Sequence, residues 1–191
     1  MMKFTELKIP DIIVCEPEFN FDDRGYFVEN FRKDDLDKFL GYSVSFCQEN
    51  ETSSTYGVIR GLHYQQAPHG QTKLVRVIEG KVIDVVVDVR ENSKTFGEHV
   101  SIELSDENKK QLFIPVGFAH GFVVLSDKAI LNYKVDNYYN FASERGIAYN
   151  DKFLNIDWQL SNNKIKLSAK DKNHPLFKDS EYYITSKHKK C

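Results

Sequence analysis

No stretch of the 191-residue chain approaches the roughly 20 consecutive apolar residues that a membrane-spanning helix needs, and the Met-Met-Lys-Phe start has no apolar signal core. The expectation is a cytoplasmic protein that does not engage a membrane. An excess of charge is also lacking. Lys plus Arg number 26 against 28 Asp plus Glu, a net charge of −2, so no global field recruits nucleic acid or anionic lipid. Any anionic ligand has to be held by a local cluster of cations. Cys15, Cys47 and Cys191 are widely spaced and form no CxxC pair, which argues against a disulfide framework and against a zinc knuckle. Helical periodicity is scarce, and there is no internal repeat, linker or low-complexity tract.

What the chain does have is a succession of short apolar runs between turn signals: "DIIVCEPEFNF", "GYFVENF", "VSFCQEN", "KLVRVIEGKVIDVVVDVR", "HVSIELS", "QLFIPVGFAHGFVVLS", "AILNYKVDNYY" and "GIAYND". These read as strands. In "KVIDVVVDVR", Ile83, Val85, Val87 and Val89 share one face, while Asp84 and Asp88 share the other with Val82 and Val86. Gly80 in "IEGK" predicts a hairpin turn joining Leu74–Glu79 to Val82–Val89. One helix is expected in "DDLDKFLG", where Leu36, Phe39 and Leu40 fall at helical spacing and Gly41 supplies a C-terminal cap. Pro175 is placed to start a further short helical turn. The expectation is all-β: one domain over residues 1–185 built as a sandwich or barrel, the jelly roll being among the few closures for such a sheet, with a few short helices. The end "SKHKKC", residues 186–191, reads as a disordered solvated tail.

Polar groups interrupt this pattern where chemistry would need them. Alternation along "RGLHYQ" puts His63 on one face with Gly61 and Gln65, opposite Arg60, Leu62 and Tyr64, and a glycine beside the histidine leaves room for a ligand. Lys73 opens the next strand. "FIPVGFAHGF" carries Pro115, Gly117 and His120 in the PxGxxH pattern with which cupin jelly rolls, or double-stranded β-helices, aim a histidine into the barrel. Metal-binding cupins complete their site with an HxH pair and a glutamate. Here the matching place reads His63 then Gln65, with Lys73 where a dication would meet like charge, so no metal is expected.

With "DDRGYFVENF", "FCQEN", "GVIRGLHYQ", "TKLVRVIEGKVIDVVVDVR", "LFIPVGFAHGFVVLS", "NYKVDNYY", "ERGIAYND" and "LSAKD" in this order from about Phe4 to Lys178, the chain resembles the dTDP-4-dehydrorhamnose 3,5-epimerase family. The resemblance implies a cupin-like jelly roll that acts on a dTDP-4-keto-6-deoxyhexose, with no redox cofactor and no metal, as a homodimer. In that reading His63 is the base, Asp171 in "LSAKD" orients it, Lys73 stands beside the ketone and Tyr133 is the acid on the opposite face. Arg24 and Arg60 correspond to phosphate and nucleotide contacts. Phe27, Glu29, Gln48, Asn50, His120, Glu144 and Lys170 correspond to further substrate contacts, and Tyr138 or Tyr139 to the ring stacked on the base. Some nucleotide contacts would come from a neighbour's N-terminal segment. Many relatives place a proline after the paired tyrosines, where this chain has "YYNFASERG", so the loop beside the base is expected to differ in shape. The alternatives are an epimerase of one centre only, or of another 4-keto nucleotide sugar; a metal-dependent cupin oxygenase; and a non-catalytic sugar-binding module.

Overall fold

The computed structural model describes residues 2–184. Thirteen strands and one α-helix lie among them. In chain order they are β1 (Lys3–Glu6), β2 (Ile13–Glu16), β3 (Phe19–Asp22), β4 (Gly25–Val28), α1 (Lys33–Leu40), β5 (Gln48–Thr55), β6 (Ile59–Gln65) and β7 (Lys73–Glu79). There follow β8 (Lys81–Asp88), β9 (His99–Ser105), β10 (Gln111–Ile114), β11 (Phe118–Val124), β12 (Lys128–Val135) and β13 (Glu144–Gly146). The predicted tail, 186–191, lies outside the described residues. Two antiparallel sheets, β1-β2-β10-β7-β12-β5 and β13-β6-β11-β8-β9, face each other as in the expected cupin-like jelly roll, and β3-β4 forms a separate hairpin.

The hairpin predicted at Gly80 does not form. Gly80 adopts φ +80° and does reverse the chain, but β7 pairs with β10 and β12 in one sheet while β8 pairs with β9 and β11 in the other. Hydrophobic burial explains the change of partner. Val75 and Val77 of β7 meet Val82 and Val86 of β8 across the interior instead of edge to edge, in a core completed by Leu112, Ile114, Phe118, Phe122, Val124 and Leu131. The other face of β8, Ile83, Val85 and Val87, is covered by the C-terminal segment through Ile147, Leu154, Trp158 and Phe177. Every residue from Val82 to Asp88 is therefore buried, and the half-polar face of the sequence reading is an interior face.

The helix forms where its pattern predicts. Asp34 and Asp35 sit in the first turn, Gly41 takes the left-handed conformation at φ 75°, and its N–H closes the last turn on the Asp37 carbonyl at 2.9 Å. Leu36 buries against Ile13, Leu74 and Phe113, which covers the outer face of the first sheet. "GIAYND" is not a strand. The ladder ends at Gly146, and Ile147 and Ala148 run on as buried irregular chain, Ile147 exchanging backbone bonds with Leu62. Past Pro175, a 3-10 turn forms at Phe177–Asp179.

One irregularity positions the site. On β11, His120 lies opposite His63 and Phe122 opposite Arg60, so β6 holds an extra residue between the two pairs. Strict alternation had placed Arg60 and His63 on opposite faces; the bulge brings both onto the cavity face. Gly61, at φ +134°, occupies the bulge, and a Cβ there would come within 2.5 Å of Gly121 Cα and 2.9 Å of the His120 carbonyl. The space beside this glycine belongs to the neighbouring strand and not to a ligand. Gly61→Ala is thus expected to cost about 2 kcal/mol or more in urea unfolding. Gly25→Ala, where φ is +125° but nothing lies within 4 Å, should cost less. Equal losses would show that the contact with β11 contributes nothing.

Candidate active site

At one end of the space between the sheets lies a cavity of about 470 Å³ lined by Thr52, Arg60, His63, Lys73, His120, Phe122, Tyr133, Lys166, Ser168, Lys170 and Asp171 among others. A second, of about 370 Å³, adds Gln48, Asn50, Gln65, Gln71, Tyr139 and Glu144 and shares His63, Lys73 and Tyr133 with the first. The three shared side chains come from both sheets: His63 from β6 in one, Lys73 on β7 and Tyr133 on β12 in the other. His63 and Tyr133 thus reach the shared cavities from facing sheets.

His63 Nε2 lies 2.6 Å from Asp171 Oδ1, across 108 residues of chain. The Ser168 hydroxyl donates to Asp171 Oδ2 at 2.8 Å and accepts the Asp171 N–H at 3.0 Å, which presets the carboxyl. Burial works to raise the Asp171 pKa, but His174 together with hydrogen bonds from His63 and Ser168 outweighs it and holds the group well below the usual carboxylate range. An ionised carboxylate only accepts, so Nε2 of His63 carries the ring proton and Nδ1 keeps a free lone pair. Burial lowers the His63 pKa below its ordinary value, opposed by Asp171 and assisted by the charges of Lys73 and Lys170. The imidazole is thereby kept neutral near pH 7, as a general base requires.

Lys73 makes no hydrogen bond or close ion pair among the described residues. Burial pushes its ammonium down to about 8, with the carboxyls of Asp84 and Glu144 acting in the opposite direction. It is an unspent donor facing the cavity. Burial likewise raises the Tyr133 phenol, against the Arg60 charge and a hydrogen bond with Asn50, so the group stays protonated and can act as an acid. Tyr133 faces Asn50 across the β12–β5 ladder, and Gln48, two residues along on the same face, donates to Asn50 Oδ1 at 2.7 Å. Arg60 is aimed by its Nε–H to Ser54 Oγ at 3.0 Å. Glu144 is held below the ordinary range despite burial by Lys170 and by the Tyr139 hydroxyl, which donates to it at 2.8 Å.

The residues expected from the sequence thus divide. His63, Lys73, Asp171, Tyr133, Arg60, His120, Gln48, Asn50, Glu144, Lys170 and Tyr139 line the cavities. Tyr138 is 64% exposed and lines neither, so of the two adjacent tyrosines Tyr139 is the one at the site. Arg24, Phe27 and Glu29 are not brought there: Arg24 and Phe27 project from the β3-β4 hairpin, with Arg24 paired to Asp22, and Glu29 meets Arg32 just beyond it. Asp84, Ser168 and His174 escaped the sequence reading. Asp84 is fully buried, with His120 Nε2 at 2.9 Å from both its oxygens, and its position on the interior face of β8 was the available signal. His174 Nε2 lies 3.3 Å from Asp171 Oδ1 but does not line either cavity.

Fold and site together define a cupin-like jelly-roll enzyme with titratable and cationic side chains converging on a cavity between the sheets. The chain belongs to the dTDP-4-dehydrorhamnose 3,5-epimerase family, a family of isomerases, whose sequence profile matches residues 6–179. It is similar to the dTDP-4-dehydrorhamnose 3,5-epimerase of Shigella flexneri, 48% identical over 183 residues, 96% of this chain and 100% of the relative. A crystal structure of the dTDP-4-dehydrorhamnose 3,5-epimerase of Elizabethkingia anophelis superposes with TM-score 0.92 at 48% identity over 95% of this chain and 99% of that one. A Legionella pneumophila dTDP-6-deoxy-D-glucose-3,5-epimerase, solved in complex with dTDP-4-keto-L-rhamnose, superposes with TM-score 0.89 at 44% identity over 93% and 94%.

With His63 as base and Lys73 as the cation beside the substrate, these ionisations give an expected pH dependence. Protonation removes the lone pair of His63, so kcat/KM should fall as pH drops through a pKa below 6.5. Loss of the Lys73 ammonium should make it fall again as pH rises through about 8. Lys73→Met should lower turnover about 100- to 1,000-fold and abolish the upper limb. A pH–rate profile of the variant that keeps that limb would assign it to another group.

Proposed function

We propose that the chain converts dTDP-4-dehydro-6-deoxy-D-glucose to dTDP-4-dehydro-L-rhamnose by removing and returning protons at C3 and C5. The catalytic unit is a single cupin-like domain over residues 1–185, and the reaction uses no metal or redox cofactor. The C4 ketone makes the hydrogens on both neighbouring carbons acidic once the enolate oxygen is stabilised. His63 Nδ1 takes the proton, Asp171 steadies the imidazolium, the Lys73 ammonium meets the charge on the enolate oxygen, and Tyr133 protonates the opposite face. The observation that carries this reading is the carboxylate-paired His63 sharing a cavity with Lys73 and Tyr133 from the facing sheet. Arg60 and Lys170 line the same cavity and supply cations for the diphosphate. Family membership supports the choice of sugar nucleotide.

The working form is a cytoplasmic homodimer in which Arg24, Phe27 and Glu29 of each chain serve the neighbour's cavity. Their exposure on and just after the β3-β4 hairpin, away from the chain's own site, supports this arrangement. Mixing inactive His63→Asn with inactive Arg24→Ala should then restore up to about a quarter of wild-type activity, because half of the mixed dimer's sites carry neither change. No restoration after subunit exchange would refute the shared site.

NMR in D₂O tests the chemistry. Solvent deuterium should enter both C3 and C5, and chelators should not lower the rate. His63→Asn should lose exchange and epimerisation together by about 100- to 10,000-fold. Tyr133→Phe keeps the ring but lacks the proton donor, so deuterium wash-in with retained configuration should exceed inverted product. Exchange at one carbon only would make the protein a single-centre epimerase, and normal inversion by Tyr133→Phe would assign the acid elsewhere.

A further inference from the structure

Behind His63, on the side of the ring away from Nδ1, a donor set converges that the epimerisation does not require as a set. One ring nitrogen of His63, an Asp171 oxygen and a ring nitrogen of His174 lie within 4.8 Å of one another, and His63 Nε2 is the nitrogen facing Asp171, at 2.6 Å. The edge-to-face rings of His63 and His174 are 5.3 Å apart. His174 follows Asp171 by three residues, just past a 3-10 turn, and its side chain is 10% exposed. Its Nε2 is buried and makes no hydrogen bond of acceptable geometry, although Asp171 Oδ1 is 3.3 Å away. The ring is wedged against Gly146, where a Cβ would stand 2.2 Å from a His174 ring carbon, so the backbone of β13 keeps the imidazole directed at Asp171.

Two imidazoles and one carboxylate are the donor set of a three-ligand zinc site with a fourth position for water, and bonds of about 2.0–2.1 Å put such ligand atoms about 3.3 Å apart. The His174–Asp171 separation already has that value. We propose that His63, Asp171 and His174 bind one zinc ion or a similar imidazole-seeking divalent metal, and that the bound ion switches the enzyme off. The surrounding charge selects for this class. With Lys73 and Lys170 acting on His63, hard cations that rely on carboxylate charge are disfavoured, whereas Zn²⁺, Co²⁺ and Ni²⁺ gain most of their affinity from nitrogen.

The mode of inhibition follows from proton balance. The ion takes the Nε2 lone pair; the Nε2 proton is lost to solvent and Nδ1 takes one up from solvent, so the ring stays neutral with its single proton shifted to Nδ1. Nδ1 then has no lone pair with which to accept the substrate's proton. Because the ion sits behind the ring, the nucleotide sugar still binds, and kcat falls while KM holds. Only this inhibitory half rests on His63 being the base; the binding half does not.

The test titrates metal-free full-length protein with Zn²⁺ by calorimetry and with Co²⁺ by visible absorption, alongside steady-state kinetics. Expected are one ion per chain, the absorption bands of low-coordinate cobalt, and a kcat that falls in step with occupancy, at constant KM, and recovers in EDTA. His174→Gln, compared with its own metal-free activity, should need at least about 10- to 100-fold more zinc for the same occupancy. His174→Phe keeps a ring against Gly146 without a ligand atom and should give the same result if the glutamine variant does not fold. No bound metal, or equal affinity in these variants, overturns the site. Metal bound through His174 with turnover unaffected leaves a metal site standing and overturns the inhibition, while the base assignment stands or falls on the His63→Asn exchange experiment.

Discussion

A carboxylate taken out of water has to be matched by donors or cations, and four buried aspartates impose that condition across the fold. Asp88 is fully buried and is matched by Arg90, Ser93 and Thr95, which ties the loop after β8 to the end of its own strand. Asp151 accepts the backbone N–H groups of Phe153, Leu154 and Phe177 and so folds the C-terminal segment onto the second sheet. Asp171 is matched by His63 and Ser168, and Asp84 by His120. Two of these settlements are structural and two lie at the cavity; one physical requirement shapes both the scaffold and the site.

The cavity's electrostatics depend on how the two sheets share this burden. Asp84 rises from the interior face of β8 and acts on Lys73 from the facing sheet, opposing the depression that burial produces. Lys73 is therefore left with an ammonium that titrates near physiological pH and has no committed partner. A close ion pair would have made it more firmly charged and less able to strengthen its contact with an oxygen on which charge develops. On the other side, Asp171 is committed to His63, and the gain is a defined tautomer. The site thus sets an oriented imidazole beside an unspent cation.

The apolar layers between and outside the sheets make this arrangement rigid. Phe118 and Phe122 on β11 fill the interior on the same strand that carries His120, and Ile83, Val85 and Val87 press the C-terminal segment against β8. That segment carries Ser168, Asp171 and His174 back across the mouth of the barrel. Its packing, through Trp158 and Phe177, is what places a carboxylate 108 residues away in sequence within hydrogen-bond reach of His63.

Local physics was legible in the sequence wherever periodicity or a cap carries it. Helix α1 with Gly41 at its end, β9 over "HVSIELS", the succession of strands and the family motifs around His63, Lys73, His120, Tyr133 and Asp171 all follow from residue patterns. Strand β5 was legible only at its start: "VSFCQEN" reads as a strand, but residues 44–47 are irregular, and the strand instead runs Gln48–Thr55 through "QENETSST", a polar edge strand with little apolar alternation to read. The pairing of β7 and β8 was not legible, since a turn at Gly80 suits a hairpin and a sheet-to-sheet crossing equally, and only burial of both faces of β8 decides between them. Arg60 joined His63 through a one-residue bulge that alternation does not reveal. His174 joined Asp171 because the glycine at 146 leaves room for its ring. The sequence by itself determined which chemical groups the chain owns and the strand periods that carry them, because these are local properties. Tertiary structure alone decided which groups face one another, because register, bulges and the return of the C-terminal segment are set by burial among residues far apart in the chain.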